Sequence, residues 1–470
     1  DLEVATLPAM DTDIEAQESR QQGSNGHSLS NDGRHPSRPS QLQASPSPPL
    51  PVQSNSSSSN DRTDEAESRN PAHDNDGQKT VDEEPHHRTL RDRVLHFTPS
   101  WFSVTMGTGV LTILINLLPW PSIHPGLRYV AIIFLFLDIF IFITFTLAFA
   151  ARYSIWPQVL PLTIKHPQKS MFLGTAPMGL ITIISGIAQM GTREFTLGIG
   201  FALAASGLWW AAVLISLVTA LAVPFAMQTY QEHQFEGTTA TLLLPVVPLI
   251  TAAATGSVLA ELLLERYPTY AFTILTVSYM VLGIGLPVAC FILTLYFQRL
   301  LLFKAVPRDV IISSLLPLGP AGQGGEALLH LGQVAMQLFP RIATAPGSGV
   351  PMLQYAGYAL FGAGLGGALL LWGLGMWWFG IAILTIVREV RRGRLPFSLG
   401  WWSATFPIAS LAIVTVRLAL VLDSLALKIT YTVMTIAVLG LWALVFVPTA
   451  RGFYSGKLLV APCLATIPLQ

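Results

Sequence analysis

The chain has 470 residues, of which 51% are hydrophobic and 11% charged, and its formal net charge at pH 7 is zero. Soluble domains carry about 25% charged residues, so this composition excludes an ordinary soluble protein and points to a membrane one. The neutral total conceals a division: residues 1–90 hold 7 of the 27 basic and 16 of the 27 acidic side chains, so an acidic tail precedes a basic body.

The tail, residues 1–90, is rich in Ser, Pro, Asn and Asp and has almost nothing large to bury, which reads as a disordered cytoplasmic segment. It shows no apolar core behind a basic start, so it does not read as a signal peptide. Its serines leave a phosphorylation-switched role open. His86 and His87 read as solvated residues beside the membrane.

From Trp101 onward, apolar runs long enough to cross a bilayer follow one another. Ten are predicted, over residues 102–118, 127–151, 171–190, 197–221, 238–261, 269–302, 309–337, 352–387, 400–420 and 425–449. They make a transmembrane domain of residues 91–455, followed by a short tail, 456–470. One set of alternate loops, with both flanks, carries 15 Lys and Arg residues, and the other set carries 5. The positive-inside rule then predicts that both termini are cytoplasmic, as an even number of spans also requires.

Glycine, proline and hydroxyl residues sort by parity. The first span begins "FTPSWFSVTMGTG", with Ser103, Thr105, Gly107 and Thr108. The third opens "FLGTAPMG", with Gly174, Thr175 and Pro177, and the fifth reads "LLLPVVPLITAAATG", with Pro245 and Thr251. The seventh contains "SLLPLGPAGQGGEALL", with Pro320, Gly322 and Gln323, and the ninth begins "GWWSATFPIAS", with Ser403 and Thr405. Such residues weaken helices, and irregular backbone at membrane depth is tolerated only against protein or a water-filled cavity. The even spans are mostly smooth; Pro287 and the glycines of "LFGAGLGGALLLWGLG" are exceptions, the latter suited to close helix packing. The predicted fold is therefore an all-α integral membrane protein of ten transmembrane helices in five hairpins. Broken odd helices line a central pore and smooth even helices face lipid.

The central parts of the odd spans carry no Lys or Arg. Their hydroxyls, amides and helix starts would hold an anion weakly, as conduction needs, although each hydroxyl has the alternative of bonding back to its own helix. Asp138 in the second span expects a helix partner or a bound water. Glu326 and His330 share a face of the seventh span and read either as a candidate proton site or as a polar pair near the extracellular mouth. Arg417 and Asp423 read as residues at the extracellular interface, where a long side chain snorkels. Cys290 and Cys463 read as small packing residues.

Enzyme signatures are missing from the sequence: it contains no Walker A loop, H-E-x-x-H, G-x-S-x-G or C-x-x-C. No metal site, cofactor or nucleic-acid partner is predicted.

The blocks "HFTPSWFSVTMGTG", "HPQKSMFLGTAPMG", "PLGPAGQGG", "GWWSATFP" and "SGKLLVAPCL" resemble the fungal sulfite efflux branch of the tellurite-resistance and C4-dicarboxylate transporter family, which also contains the plant slow anion channels. The resemblance runs over about residues 90–465. It implies a ten-helix pore, a homotrimer with one pore per subunit, and an aromatic plug on the ninth helix, which the motif assigns to Phe406. It also implies plasma-membrane export of sulfite or bisulfite. Moving one charge through 100 mV is worth about 2.3 kcal/mol, so anion exit from a negative cytoplasm is downhill and needs only a gate. The alternatives are a proton-coupled malate transporter, a general small-anion channel and a membrane sensor.

Overall fold

The structure, a computed structural model, describes residues 89–121, 124–193, 198–344 and 352–461. The acidic tail through residue 88, with His86 and His87, lies outside these, as does Cys463. Every regular element among the described residues is helical.

Each of the ten apolar runs contains one long helix. A short α1 (Leu90–Leu95), closed at its start by a Thr89–Asp92 capping box, precedes them. Five helices are short or moderate in length: α2 (Phe102–Asn116), α5 (Thr175–Arg193), α7 (Val247–Leu263), α9 (Leu318–Ala343) and α11 (Trp402–Val421). The five that follow them in turn are longer, at 30 to 39 residues: α3 (His124–Ile155), α6 (Ile199–Tyr230), α8 (Pro268–Phe303), α10 (Leu353–Arg391) and α12 (Leu425–Tyr454). A seven-residue α4 (Val159–Lys165) lies between α3 and α5.

Seven of the long helices (α3, α5, α6, α8, α10, α11 and α12) have the length and apolarity to cross a membrane, so the chain is a multi-pass membrane protein. The other three do not meet that standard. α2 and α7 have only 15 and 17 residues, and α9 carries Gln323, Glu326, His330 and Gln333. α2 and α7 are buried almost throughout, α7 falling short of full burial only at Glu261 and Leu262, and α9 is buried over most of its length up to Gly332. Wrapped in protein, a helix need satisfy neither the length nor the apolarity that lipid demands. The long helices bury one face and expose Phe136, Phe140, Leu214, Met280, Leu370 and Leu384 on the other.

Contacts among the buried helices close on themselves. α2 packs on α5, α5 on α7, α7 on α9, α9 on α11, and α11 back on α2. Each also packs on the long helix that follows it in sequence.

The expectation of helices broken at membrane depth is corrected. All five inner helices are preceded by a 3-10 turn, and the prolines gather at these starts. Pro317 is the cap of α9 and Pro320 its third residue, so "SLLPLGPAGQGG" turns into a helix that runs unbroken through Gly322, Gly324 and Gly325. Pro177 and Pro248 likewise sit in first turns, where a missing N–H costs little. Proline inside a helix occurs in both sets: Pro340 in α9 and Pro407 in α11, and, among the supposedly smooth helices, Pro224 in α6, Pro287 in α8 and Pro448 in α12.

The glycines serve close approach. A Cβ on Gly322 would strike the backbone of Ser410 and Leu411, where α9 crosses α11. Along α10, Gly357 and Gly364 lie against the carbonyls of Ala335 and Leu328 on α9, while Gly332 of α9 meets that of Leu360. The small-residue packing expected of α10 is therefore present. Gly362, two residues from Gly364, faces open space.

This contrast yields a test with one substitution at two sites. Gly364→Ala drives a methyl into the Leu328 carbonyl and lowers the thermal unfolding midpoint of the detergent-purified protein, at a cost of about 1–3 kcal/mol. Gly362→Ala leaves it unchanged or raises it slightly, by helix propensity.

Candidate functional site: a polar interior within the helix ring

Three spaces follow one another along the inner helices. The largest, of about 620 Å³, is a vestibule to which all five 3-10 turns contribute, through Ser100, Phe172, Thr241, Ser313 and Gly400. A central cavity of about 20 Å³ is walled by all five inner helices: Val110 and Ile113 from α2, Thr182 and Ser185 from α5, Thr251, Ala254 and Thr255 from α7, Gln323 and Glu326 from α9, Phe406 and Ile413 from α11. That volume holds about one water. A third space, of about 10 Å³, lies among Leu117, Gln189, Val258, Glu261, Leu262 and Arg417. On α2, α5, α7 and α11 the lining residues advance along the sequence from vestibule to central to outer cavity. The inner helices therefore run parallel, with their starts at the vestibule. The positive ends of five helix dipoles converge there.

The vestibule also collects Lys169, Arg299 and Lys457 against Glu236 and Asp309. The Arg299 guanidinium donates to the carbonyls of Glu236 (2.9 Å) and Lys304 (2.6 Å), and so holds two loops at the rim. Nearby, His166 Nδ1 accepts from the backbone N–H of Gln168 (3.2 Å); burial, and then the Lys169 charge, lower its pKa from the usual histidine value.

On α11, one turn separates the vestibule from the central cavity: Ser403 lines the first and Phe406 the second. Phe406 is 2% exposed. Pro407 follows it and, lacking an N–H, withholds the helical hydrogen bond from the Ser403 carbonyl. Deeper, Gln323 Nε2 donates to Ser410 Oγ (3.2 Å), which donates to the Phe406 carbonyl (2.9 Å). The amide that borders the cavity is thereby tied to the backbone carrying the aromatic ring.

Of the residues singled out from sequence, Thr251, Gln323, Glu326 and Phe406 meet at the central cavity and Ser403 at the vestibule. The others line neither space, and several of them lie where helices meet. Thr105 packs against Gly179, and Gly107 against Thr405 and Trp402. Thr108 accepts from Trp442 Nε1 (3.1 Å). Thr175 donates to the Pro99 carbonyl (3.0 Å), and Gly174 abuts the backbone of Leu244 and Pro245. Most of the hydroxyls took the alternative open to them: Ser103, Thr105, Thr108, Thr251 and Thr405 each donate to a carbonyl three or four residues back.

Glu326 and His330 have partners on different helices. Glu326 Oε1 stands 3.7 Å from Arg417 Nε of α11. His330 meets Ser257 Oγ at 2.8 Å and Glu261 Oε2 at 3.1 Å, both on α7. Arg417 does not snorkel; its side chain is 12% exposed, in the interior of the bundle. Asp138 is fully buried between α2 and α5, its carboxylate against Gly109 and Thr182, and neither oxygen has a hydrogen-bond partner among the described residues. Of the two partners expected for it, a hydrogen-bonding group on a neighbouring helix is not seen among those residues.

Sequence reading did not find Val110, Ile113, Thr182, Ser185, Thr255, Ile413 or Arg417. The aliphatic ones are indistinguishable in sequence from lipid-facing residues, and Arg417 lies close enough to a helix end to read as interfacial. The signal available was parity: residues on odd runs that keep the helical register of Phe406 or Gln323.

The family profile of voltage-dependent anion channels matches residues 96–450. This chain belongs to that family. The match begins just ahead of α2 and ends within α12, so it takes in the whole ring and its outer helices. The sulfite efflux pumps of Arthroderma otae and Trichophyton rubrum are each 37% identical over 356 residues, covering 76% of this chain and 90% of theirs. A malic acid transport protein of Schizosaccharomyces pombe is 23% identical over 384 residues, covering 79% of this chain and 83% of its own. The family is one of channels and these relatives are named as transporters, in keeping with the lack of enzyme signatures in the sequence.

The position of Phe406 between the two spaces has a measurable consequence. In a background without native cysteines, Ser403→Cys reacts with a charged, water-borne thiol reagent and Ile413→Cys does not. Adding Phe406→Ala makes position 413 reactive; protection unchanged by that substitution removes the ring as the barrier.

Proposed function

We propose that this chain exports sulfite or bisulfite across the plasma membrane, through a gated path along the axis of the five inner helices. The observation that carries this reading is the central cavity bordered by all five of those helices, with Phe406 at its vestibule side. The family membership and the sulfite efflux pumps among its relatives support the substrate. In this reading all ten long helices cross the membrane as five hairpins, both termini are cytoplasmic, and the vestibule opens to the cytoplasm. The basic loops support that orientation. The resemblance adds a homotrimer with one path per subunit.

The path works by gathering and weak handling. Helix starts and the vestibule cations raise the local anion concentration. Hydroxyl and amide groups then replace part of the hydration shell. The membrane potential supplies the driving force, at about 2.3 kcal/mol per charge per 100 mV. Malate, with two separated carboxylates, rewards paired cationic clamps, whereas the central cavity is bordered by one carboxylate and neutral groups.

Purified protein in liposomes under a set voltage tests the reading directly. Sulfite flux exceeds nitrate, chloride and malate flux, and Phe406→Ala raises basal sulfite flux severalfold. A preference for malate, or no flux of any anion, overturns it; the second result would favour a membrane sensor. His330→Gln leaves voltage-driven sulfite export largely intact, because an amide can keep the contacts to Ser257 and Glu261 without a titratable proton; abolished flux from a well-folded variant marks a proton-linked mechanism instead.

A further inference from the structure

The Glu326–Arg417 pair stands where the two enclosed cavities meet. Glu326 borders the central cavity and Arg417 the outer one. Phe406 and Arg417 are 11 residues apart on α11, or about 16 Å along the helix. The pair is thus a separate constriction beyond the aromatic ring. The outer cavity, at about 10 Å³, is at the lower limit for a single water, so nothing the size of an oxyanion passes while both side chains stay in place.

The pairing is loose. Its one close approach, Nε to Oε1, is 3.7 Å, outside hydrogen-bond range, and Nε is buried with no hydrogen-bond partner among the described residues. A guanidinium offers five donors in a planar fork that fits two oxygens of one acceptor. Here the carboxylate compensates the charge without filling the fork. A small oxyanion presents the same pair of oxygens as that carboxylate and fits the same fork.

A fixed cation in a conduction path raises an obvious objection: it binds the anion and does not release it. A carboxylate on the neighbouring helix removes the objection. When the anion leaves, Glu326 returns to Arg417, so the guanidinium is never left buried and uncompensated. We propose that Glu326 and Arg417 form a second, electrostatic gate, in which Arg417 takes the anion and Glu326 is its resident competitor, and that anions cross by exchanging with the carboxylate on the guanidinium. This rests on the anion-path reading above and specifies its outer site. Glu261, which borders the same cavity as Arg417, is engaged by His330 Nε2 at 3.1 Å, leaving Glu326 as the competitor.

The test is sulfite flux against sulfite concentration in liposomes, for full-length protein and four variants. Glu326→Gln lowers the half-saturating sulfite concentration by about tenfold and also lowers the maximal rate, because the competitor is gone; tenfold corresponds to one charge-assisted hydrogen bond. Arg417→Gln loses flux, since it leaves the Glu326 charge facing the anion alone. The double variant Glu326→Gln/Arg417→Gln recovers flux relative to Arg417→Gln but saturates only at higher sulfite. Arg417→Lys keeps the charge and transports with a raised half-saturating concentration, and it carries the test if Arg417→Gln does not fold. A merely structural ion pair would shift thermal stability and leave the half-saturating concentration alone. That result for Glu326→Gln, or wild-type transport by Arg417→Gln, overturns the proposal. Wild-type protein that moves no sulfite overturns the path itself, so the two failures are distinct.

Discussion

Hydrocarbon offers no partner to a polar side chain, so Gln323, Glu326, His330 and Arg417 can sit at membrane depth only where other helices take the lipid contact. The rest of the architecture follows from this constraint. Five short, polar-bearing helices are enclosed by protein, and five helices of 30 residues or more expose Phe, Leu and Met outward. The inner helices do not need to span the hydrocarbon alone, which is why α2 makes do with 15 residues. Their 3-10 starts stop short, and the space they leave becomes the vestibule.

Close packing of the inner ring is what keeps it narrow. Gly107 lets α2 approach Thr405 and Trp402 of α11, Gly322 lets α9 approach the backbone of α11, and Gly332 with Gly364 seats α9 on α10. Larger residues at these points would widen the ring and make room for more than the one water that fits the central cavity. The hydroxyls expected along a path are largely consumed by their own helices or by these contacts. The chemistry left facing the central cavity is sparse: a few hydroxyls, one pinned amide, an aromatic ring and the Glu326 carboxylate. Sparse, weakly interacting walls suit passage better than binding.

Much of this was legible in the sequence, for a local reason. Apolar runs and the clustering of proline at odd spans are properties of short stretches, and each run did contain a helix. The proline pattern was legible but its meaning was not: Pro317 and Pro320 do not break α9, they begin it. Phe406 was found through its motif context, "WWSATFP", since a single phenylalanine among many apolar residues carries no signal of its own.

The sequence by itself determined that the chain is an all-helical membrane protein with two alternating kinds of helix, because hydropathy and helix-start chemistry act within one or two turns. Only the tertiary structure decided which polar side chains meet. Glu326 and His330 are four residues apart on one helix face, yet one turns to Arg417 on α11 and the other to Ser257 and Glu261 on α7. Partnership of this kind depends on the rotation and depth of each helix against its neighbours. Those are set by how closely the glycines let backbones approach, a property of pairs of helices that no single stretch of sequence contains.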